Sequence, residues 1–154
     1  MGLPFRDLAS FGKRIEYWII GLMLKEGFDV YVPLVDDKAI DAVIRRPDGS
    51  FITVQIKARS KSVVKGGAAI FSVISHKLRK DYWFIFYSER MDMMWIMSSK
   101  EFIKESLQTK SGKFKGLRSI SFNGRKKDKR SGKVTEYCKP QFIKYVVEDF
   151  SRLK

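Results

Sequence analysis

The chain has 154 residues, 44% of them apolar, with three Trp, twelve Phe and a net charge of +14. That length is ordinarily one domain around one core, so residues 1–154 are expected to fold together, and the aromatic content excludes a disordered tail. The charge calls for a polyanionic partner, nucleic acid before an anionic membrane surface.

The first element expected is a helix, capped by Asp7 or Ser10 and ended by Gly27. Leu8, Phe11, Ile15, Trp18, Ile19, Leu22 and Met23 make its apolar stripe. The most apolar window, Tyr17 to Leu24, is too short to span a bilayer. The start M-G-L-P-F-R-D lacks the basic beginning and apolar core of a signal peptide. A cytoplasmic protein with no membrane association is the expectation. Glu16 sits within the stripe, with Gly12 one turn before it and Ile20 one turn after. It is either an edge glutamate reaching solvent or a carboxylate entering a cleft, with Gly12 leaving room beside it.

Phe28 to Leu34 predicts a short strand, with Pro33 placing its end at a sheet edge. Val35 to Lys38 predicts a turn. The stretch from Ile40 to Arg59 predicts a β-hairpin. Ile40, Ala42 and Ile44 alternate with Asp41 and Val43, and Pro47-Asp48-Gly49 supplies the turn. Ile52, Val54 and Ile56 then share one face, and Thr53, Gln55 and Lys57 the other. Asp36 and Asp37 rival Asp41 as functional carboxylates, but turn aspartates are usually local caps. Aspartate is disfavoured inside strands, so the strand context favours Asp41.

An aspartate, a hairpin, then Gln55-Ile56-Lys57 on the next strand resembles the core of the PD-(D/E)XK nuclease superfamily. Glu16 stands where many members place a helical glutamate. The order of elements from Ser10 to Arg59 is similar to archaeal Holliday-junction resolvases and to homing and restriction-type endonucleases of that superfamily. The departure is Gln55 in place of an acidic residue. The resemblance implies an α/β fold: a restriction-endonuclease-like core with a mixed central β-sheet flanked by helices. It implies Mg2+ or Mn2+ as cofactor, DNA as partner, and action as a homodimer.

After Lys57 comes a basic loop with a Gly66-Gly67 break, in which Arg59, Lys61 and Lys65 either follow a phosphate backbone or are simply solvated. Ala69 to Ile74 predicts a strand, and His76 to Lys80 a helical turn. His76 has no Cys or His companion, which argues against zinc. Asp81 to Tyr87, D-Y-W-F-I-F-Y, has the pattern of a strand buried on both faces. Met93 to Met97 follows as its neighbour. Ser98 or Ser99 can then cap a helix running through Glu101, Phe102, Ile103 and Leu107. These aromatics are assigned to the core, not to a base-stacking platform.

From Thr109 onward there are fourteen Lys and Arg against four Asp and Glu. This is expected to be a basic C-terminal extension of the same domain. Arg118 to Phe122 predicts a strand, and Gly124 to Lys133 a basic, mobile loop. In that loop Arg125, Lys126, Lys127, Lys129 and Arg130 are candidate nucleic-acid contacts, or else a solubilising cluster. Pro140 is expected to open a last helix, with Phe142, Ile143, Val146, Val147 and Phe150 on its buried face. The single cysteine, Cys138, excludes an internal disulfide, fits a reducing compartment and has no evident base partner.

Phosphodiester hydrolysis needs charge neutralisation, an activated water and a stabilised leaving oxygen. By the resemblance, Asp41 anchors the metal, the Gln55 amide oxygen and the Ile56 backbone carbonyl complete that side, and Glu16 holds a second ion or a water. Lys57 orients or deprotonates the water. An amide in place of a carboxylate removes one charge and weakens metal binding. Two readings stand: a metal-dependent DNA endonuclease acting on branched or other structured DNA, and a nucleic-acid-binding protein of the same fold with little or no catalysis. A membrane-surface or protein-interaction domain rests on charge alone.

Overall fold

The computed structural model describes residues 8–154. Helix α1 spans Leu8–Lys25. The Asp7 cap lies outside the described residues, and Ser10 stands inside the helix, not at its cap. Gly27 ends it as expected, in the left-handed region at φ +89°, with its N–H donating to the Leu24 carbonyl at 2.9 Å.

Six strands form the central sheet: β1 (Asp29–Tyr31), β2 (Ala42–Arg45), β3 (Phe51–Arg59), β5 (Tyr82–Ser88), β6 (Met93–Ser98) and β11 (Val146–Val147). Their order is β1-β2-β3-β5-β6-β11. β3 and β5 are parallel and every other pair is antiparallel, so the sheet is mixed. The remaining strands are β4 (Ile70–Ile74), β7 (Leu107–Gln108), β8 (Arg118–Ser121), β9 (Asn123–Lys127) and β10 (Val134–Cys138). β4, β8 and β7 form a three-stranded sheet, and β9 and β10 a separate hairpin. No described helix is long and apolar enough to cross a membrane.

Apolar side chains cover both faces of the central sheet. On one face Phe11, Ile15, Ile19 and Met23 of α1 pack with Ala42, Ile44, Ile52, Val54 and Ile56. On the other, Tyr82, Phe84, Phe86, Trp95 and Met97 meet Phe71, Phe102, Phe122 and Phe142. Burial on both sides explains the continuous aromatic run of β5. Trp95 and Phe122 stack with centroids 4.5 Å apart. The aromatics are core, as expected.

Helix α2, Ser99–Glu105, starts with a capping box: the Ser98 hydroxyl accepts from the Glu101 N–H, and the Glu101 carboxylate accepts from the Ser98 N–H. It stops before Leu107, which pairs with β8 instead.

Three expectations need larger correction. His76 to Lys80 is not helical. Ser99 Oγ contacts His76 Nε2 at 2.7 Å and accepts from the Arg79 N–H, and the Arg79 guanidinium donates to the Lys38 carbonyl, so tertiary ties hold the segment open. The last helix is absent. Pro140–Tyr145 is a 3-10 segment, Val146 and Val147 add to β6 as β11, and a second 3-10 turn covers Ser151–Leu153. A β-branched pair beside an open sheet edge goes to the edge.

The basic stretch 124–133 is not a mobile loop but the first half and turn of the β9–β10 hairpin. Asp128 holds the turn: its Oδ1 accepts from the Arg130 and Ser131 N–H groups, and its own N–H donates to the Lys133 carbonyl. Gly132, at φ +70°, completes it.

Candidate active site

The site begins with a mismatch in strand length. β2 accompanies β3 only as far as the Ala42–Val54 pair, while β3 continues beside β5 to the Arg59–Ser88 pair. Gln55 to Arg59 therefore have β5 on one edge and no β2 strand on the other. Asp41, one residue before β2, occupies the gap. Its N–H donates to the Val54 carbonyl at 2.8 Å, and its Oδ2 accepts the Ile56 N–H at 2.7 Å. An extended residue directs its N–H and C=O to the same edge, so the Ile56 carbonyl faces this gap too.

Strand alternation places Gln55 and Lys57 on the face opposite Val54 and Ile56, as the sequence implied. The Tyr82 hydroxyl donates to the Ala39 carbonyl at 2.5 Å and lies 3.1 Å from Gln55 Oε1, sharing its one proton between them. An amide oxygen has two lone pairs, so this bond leaves one for another partner. Lys57 lies along a cleft of about 360 Å³, lined by Ile56 to Arg59 of β3 and by Ile70, Phe71 and Ser72 of β4.

The charges here are not in balance. Burial pushes the Asp41 carboxyl up to about 6; the Ile56 N–H and Lys13 work against that, while Glu16 and Asp36 add to it. Burial pulls the Lys57 ammonium below its ordinary value, against the attraction of Asp41, Glu16 and Asp36. Glu16 of α1 thus acts on both groups. It is largely covered and forms an ion pair with Lys13 at 2.7 Å. Asp36 reaches the same groups electrostatically, and Asp37 is not among the charges acting on them.

Lys13 and Tyr82 are the additions to the residues singled out by sequence, while Asp36, weighed there as a rival to Asp41, acts here only through its charge. Only the Lys13–Glu16 spacing of three was visible there. No three His, Cys, Asp or Glu side chains among the described residues are grouped to hold a metal ion. Carboxylates alone therefore do not make a cation site; the nearby oxygens of β3 are the Ile56 carbonyl on the open edge and the Gln55 amide, which contacts Tyr82.

The other basic candidates divide in two. Arg59 donates to the Lys65 and Gly67 carbonyls, and Arg125 to Glu136 and the Gly66 carbonyl, so both guanidinium groups tie the fold. Lys61 stands 3.9 Å from Glu89 and is mostly exposed. Lys65, Lys126, Lys127, Lys129 and Arg130 are exposed. His76 stacks on Tyr82, and burial, then Arg79 and Arg118, pulls its pKa down to about 4, so it is neutral near pH 7. The Trp95 indole N–H points at Cys138 Sγ, 3.5 Å away.

No protein-family model matches this chain. No curated protein matches it either. Among solved structures the chain is similar to the bacterial homing endonuclease I-Ssp6803I, with a TM-score of 0.57 and 21% identity. The match covers 92% of this chain and 89% of that one, so the two share a fold along nearly their whole length.

Proposed function

We propose that this protein is a metal-dependent DNA endonuclease with a PD-(D/E)XK-type site at Asp41, Gln55 and Lys57. The observation that carries the reading is the Asp41–Ile56 hydrogen bond. It fixes a carboxylate against the unpaired end of β3, the stretch that carries Gln55, Ile56 and Lys57. The fold shared with a homing endonuclease supports it, as does the net charge of +14.

Asp41, the Gln55 amide oxygen and the Ile56 carbonyl are hard oxygen donors of the type that Mg2+ or Mn2+ takes. Such an ion, when bound, would neutralise charge on the scissile phosphate and its leaving oxygen. Asp41 is the anchoring carboxylate, and its raised pKa describes a group that gains from a nearby cation. Lys57, its charged form disfavoured by burial, orients or helps deprotonate the attacking water and offsets phosphate charge. Glu16 holds that water from the helix side. With one carboxylate, Asp41, and one amide, Gln55, a bound cation would need further oxygen donors, which substrate phosphate would supply.

The second reading is a DNA-binding protein with catalysis lost. Gln55 and the sparse carboxylate set favour it. Supercoiled plasmid and a synthetic four-way junction, incubated with Mn2+ or with EDTA, separate the two. The endonuclease reading expects Mn2+-dependent cleavage of at least one substrate. Salt-sensitive binding without cleavage of either would leave only the second reading.

A further inference from the structure

The β9–β10 hairpin carries an observation the active site does not use. Its two faces are chemically different. Asn123, Arg125, Glu136 and Cys138 face the body of the protein. The Asn123 amide oxygen accepts the Ala69 N–H at 3.0 Å, and Glu136 accepts the Ala68 N–H at 2.9 Å. Glu136 is also held between Arg90 and Arg125, at 3.1 and 3.0 Å. Burial alone would raise its pKa, but these partners bring it below its ordinary value. The Arg125 guanidinium reaches the Gly66 carbonyl. The hairpin is therefore bolted to the segment that leads into β4, the strand walling the Lys57 cleft.

The opposite face presents Lys126 directly across from Thr135, and Tyr137 across from Gly124. The phenol end of Tyr137 covers that glycine: a Cβ on Gly124 would stand 2.5 Å from the ring Cζ. Thr135, Tyr137 and Lys126 are all exposed. The tip adds Lys129, Arg130 and Lys133, with the turn shaped by Asp128. This outer face and the tip carry no acidic side chain directed outward, since Asp128 bonds back into the turn.

We infer that the β9–β10 hairpin is a rigid ribbon that enters the major groove of duplex DNA and reads base edges through Lys126 and Thr135. The inference rests on the endonuclease reading for its DNA partner and adds a source of sequence preference. The dimensions match. Two strands about 4.8 Å apart, with their side chains, fit a major groove about 12 Å wide. Five residues per strand reach about 17 Å. A lysine ammonium donates to guanine O6 and N7, and a threonine offers a hydroxyl and a methyl to neighbouring bases. Lys129 and Arg130 at the tip suit phosphates, which position without specifying. Rigidity is what turns a basic hairpin into a reader, because base discrimination needs side chains held in register.

The test uses the full chain in EDTA, where cleavage plays no part, and a random-sequence duplex library. Wild type is expected to enrich a guanine-containing motif. Methylating guanine N7 in that motif is expected to block its binding. Lys126→Ala with Thr135→Ala is expected to lose about 5- to 100-fold discrimination within the motif. Lys129→Ala with Arg130→Ala is expected to weaken all duplexes alike and flatten the salt dependence by about two phosphates. Enrichment of no motif, a motif unchanged in the Lys126/Thr135 variant, or equal affinity for an A-form RNA duplex, whose major groove is too narrow for a ribbon, would overturn the inference. Cleavage by the same proteins in Mn2+ reports on the endonuclease reading separately. A nuclease without groove reading is thereby distinguished from a reader without catalysis.

Discussion

Two hairpins in this chain use the same residue types for opposite ends. At β2–β3, Asp41 and Lys57 are partly buried and coupled by charge, and burial pushes both toward their neutral forms. In β9–β10, Lys126, Lys127 and Lys129 stand exposed, and Asp128 is spent on holding its own turn. A charged side chain becomes a reagent when the fold withdraws it from water, and an attractant when the fold leaves it there.

The comparison can be broken first at Asp41. Asp41→Ala removes the carboxylate and the partner of the Ile56 N–H. We expect plasmid cleavage to fall at least about a hundredfold, with DNA binding retained; full cleavage would place the site elsewhere. Gln55→Glu sharpens the comparison by restoring a charge. Mn2+ affinity, read by calorimetry, is expected to rise about tenfold, and unchanged affinity would remove Gln55 from the donor set. Tyr82→Phe takes away the hydroxyl that contacts Gln55 and Ala39. A loss of about fivefold in cleavage is expected, the value of one positioning hydrogen bond. Wild-type rates would show that Tyr82 only packs.

The raised Asp41 pKa makes a stability prediction for the metal-free protein. The folded state holds this proton to about 6, against 3.8 for the free group. Stability from this group is therefore present at low pH and lost as pH rises through about 6. Asp41→Asn, which still offers an oxygen to Ile56, is expected to gain about 1 kcal/mol over wild type at pH 8 after allowing for solvent screening. Urea melts at pH 5 and pH 8 measure it, and a difference that does not grow with pH would contradict the assignment. The smallest effect expected is at the other hairpin. Asp128→Ala loosens the turn locally, seen as faster amide exchange at Arg130 and Ser131 with an unchanged global melt.

The first hairpin was legible in the sequence because its signals are local. Period-two alternation and Pro47-Asp48-Gly49 lie within twenty residues of one another, although the strand expected to hold Asp41 begins one residue later, at Ala42. Asp41, Gln55 and Lys57 were singled out from that pattern together with the nuclease resemblance it carries. Tyr82 was not legible as their neighbour, because its approach depends on the parallel β3–β5 pairing, which no local signal encodes. The second hairpin was misread as a loop because Arg125, Lys126 and Lys127 are poor strand formers on composition. Its register is set from outside, by Ala68, Ala69 and Arg90. Val146 and Val147 carried helical spacing and β-branched chemistry together, and the open edge of β6 decided between them.

The most direct measurement is plasmid cleavage in saturating Mn2+ by wild type beside Lys57→Ala, with DNA binding recorded for both. The account predicts conversion by wild type, a loss of at least about a hundredfold in the variant, and equal binding. Equal cleavage by the two proteins would contradict the assignment of Lys57 and the site built around it.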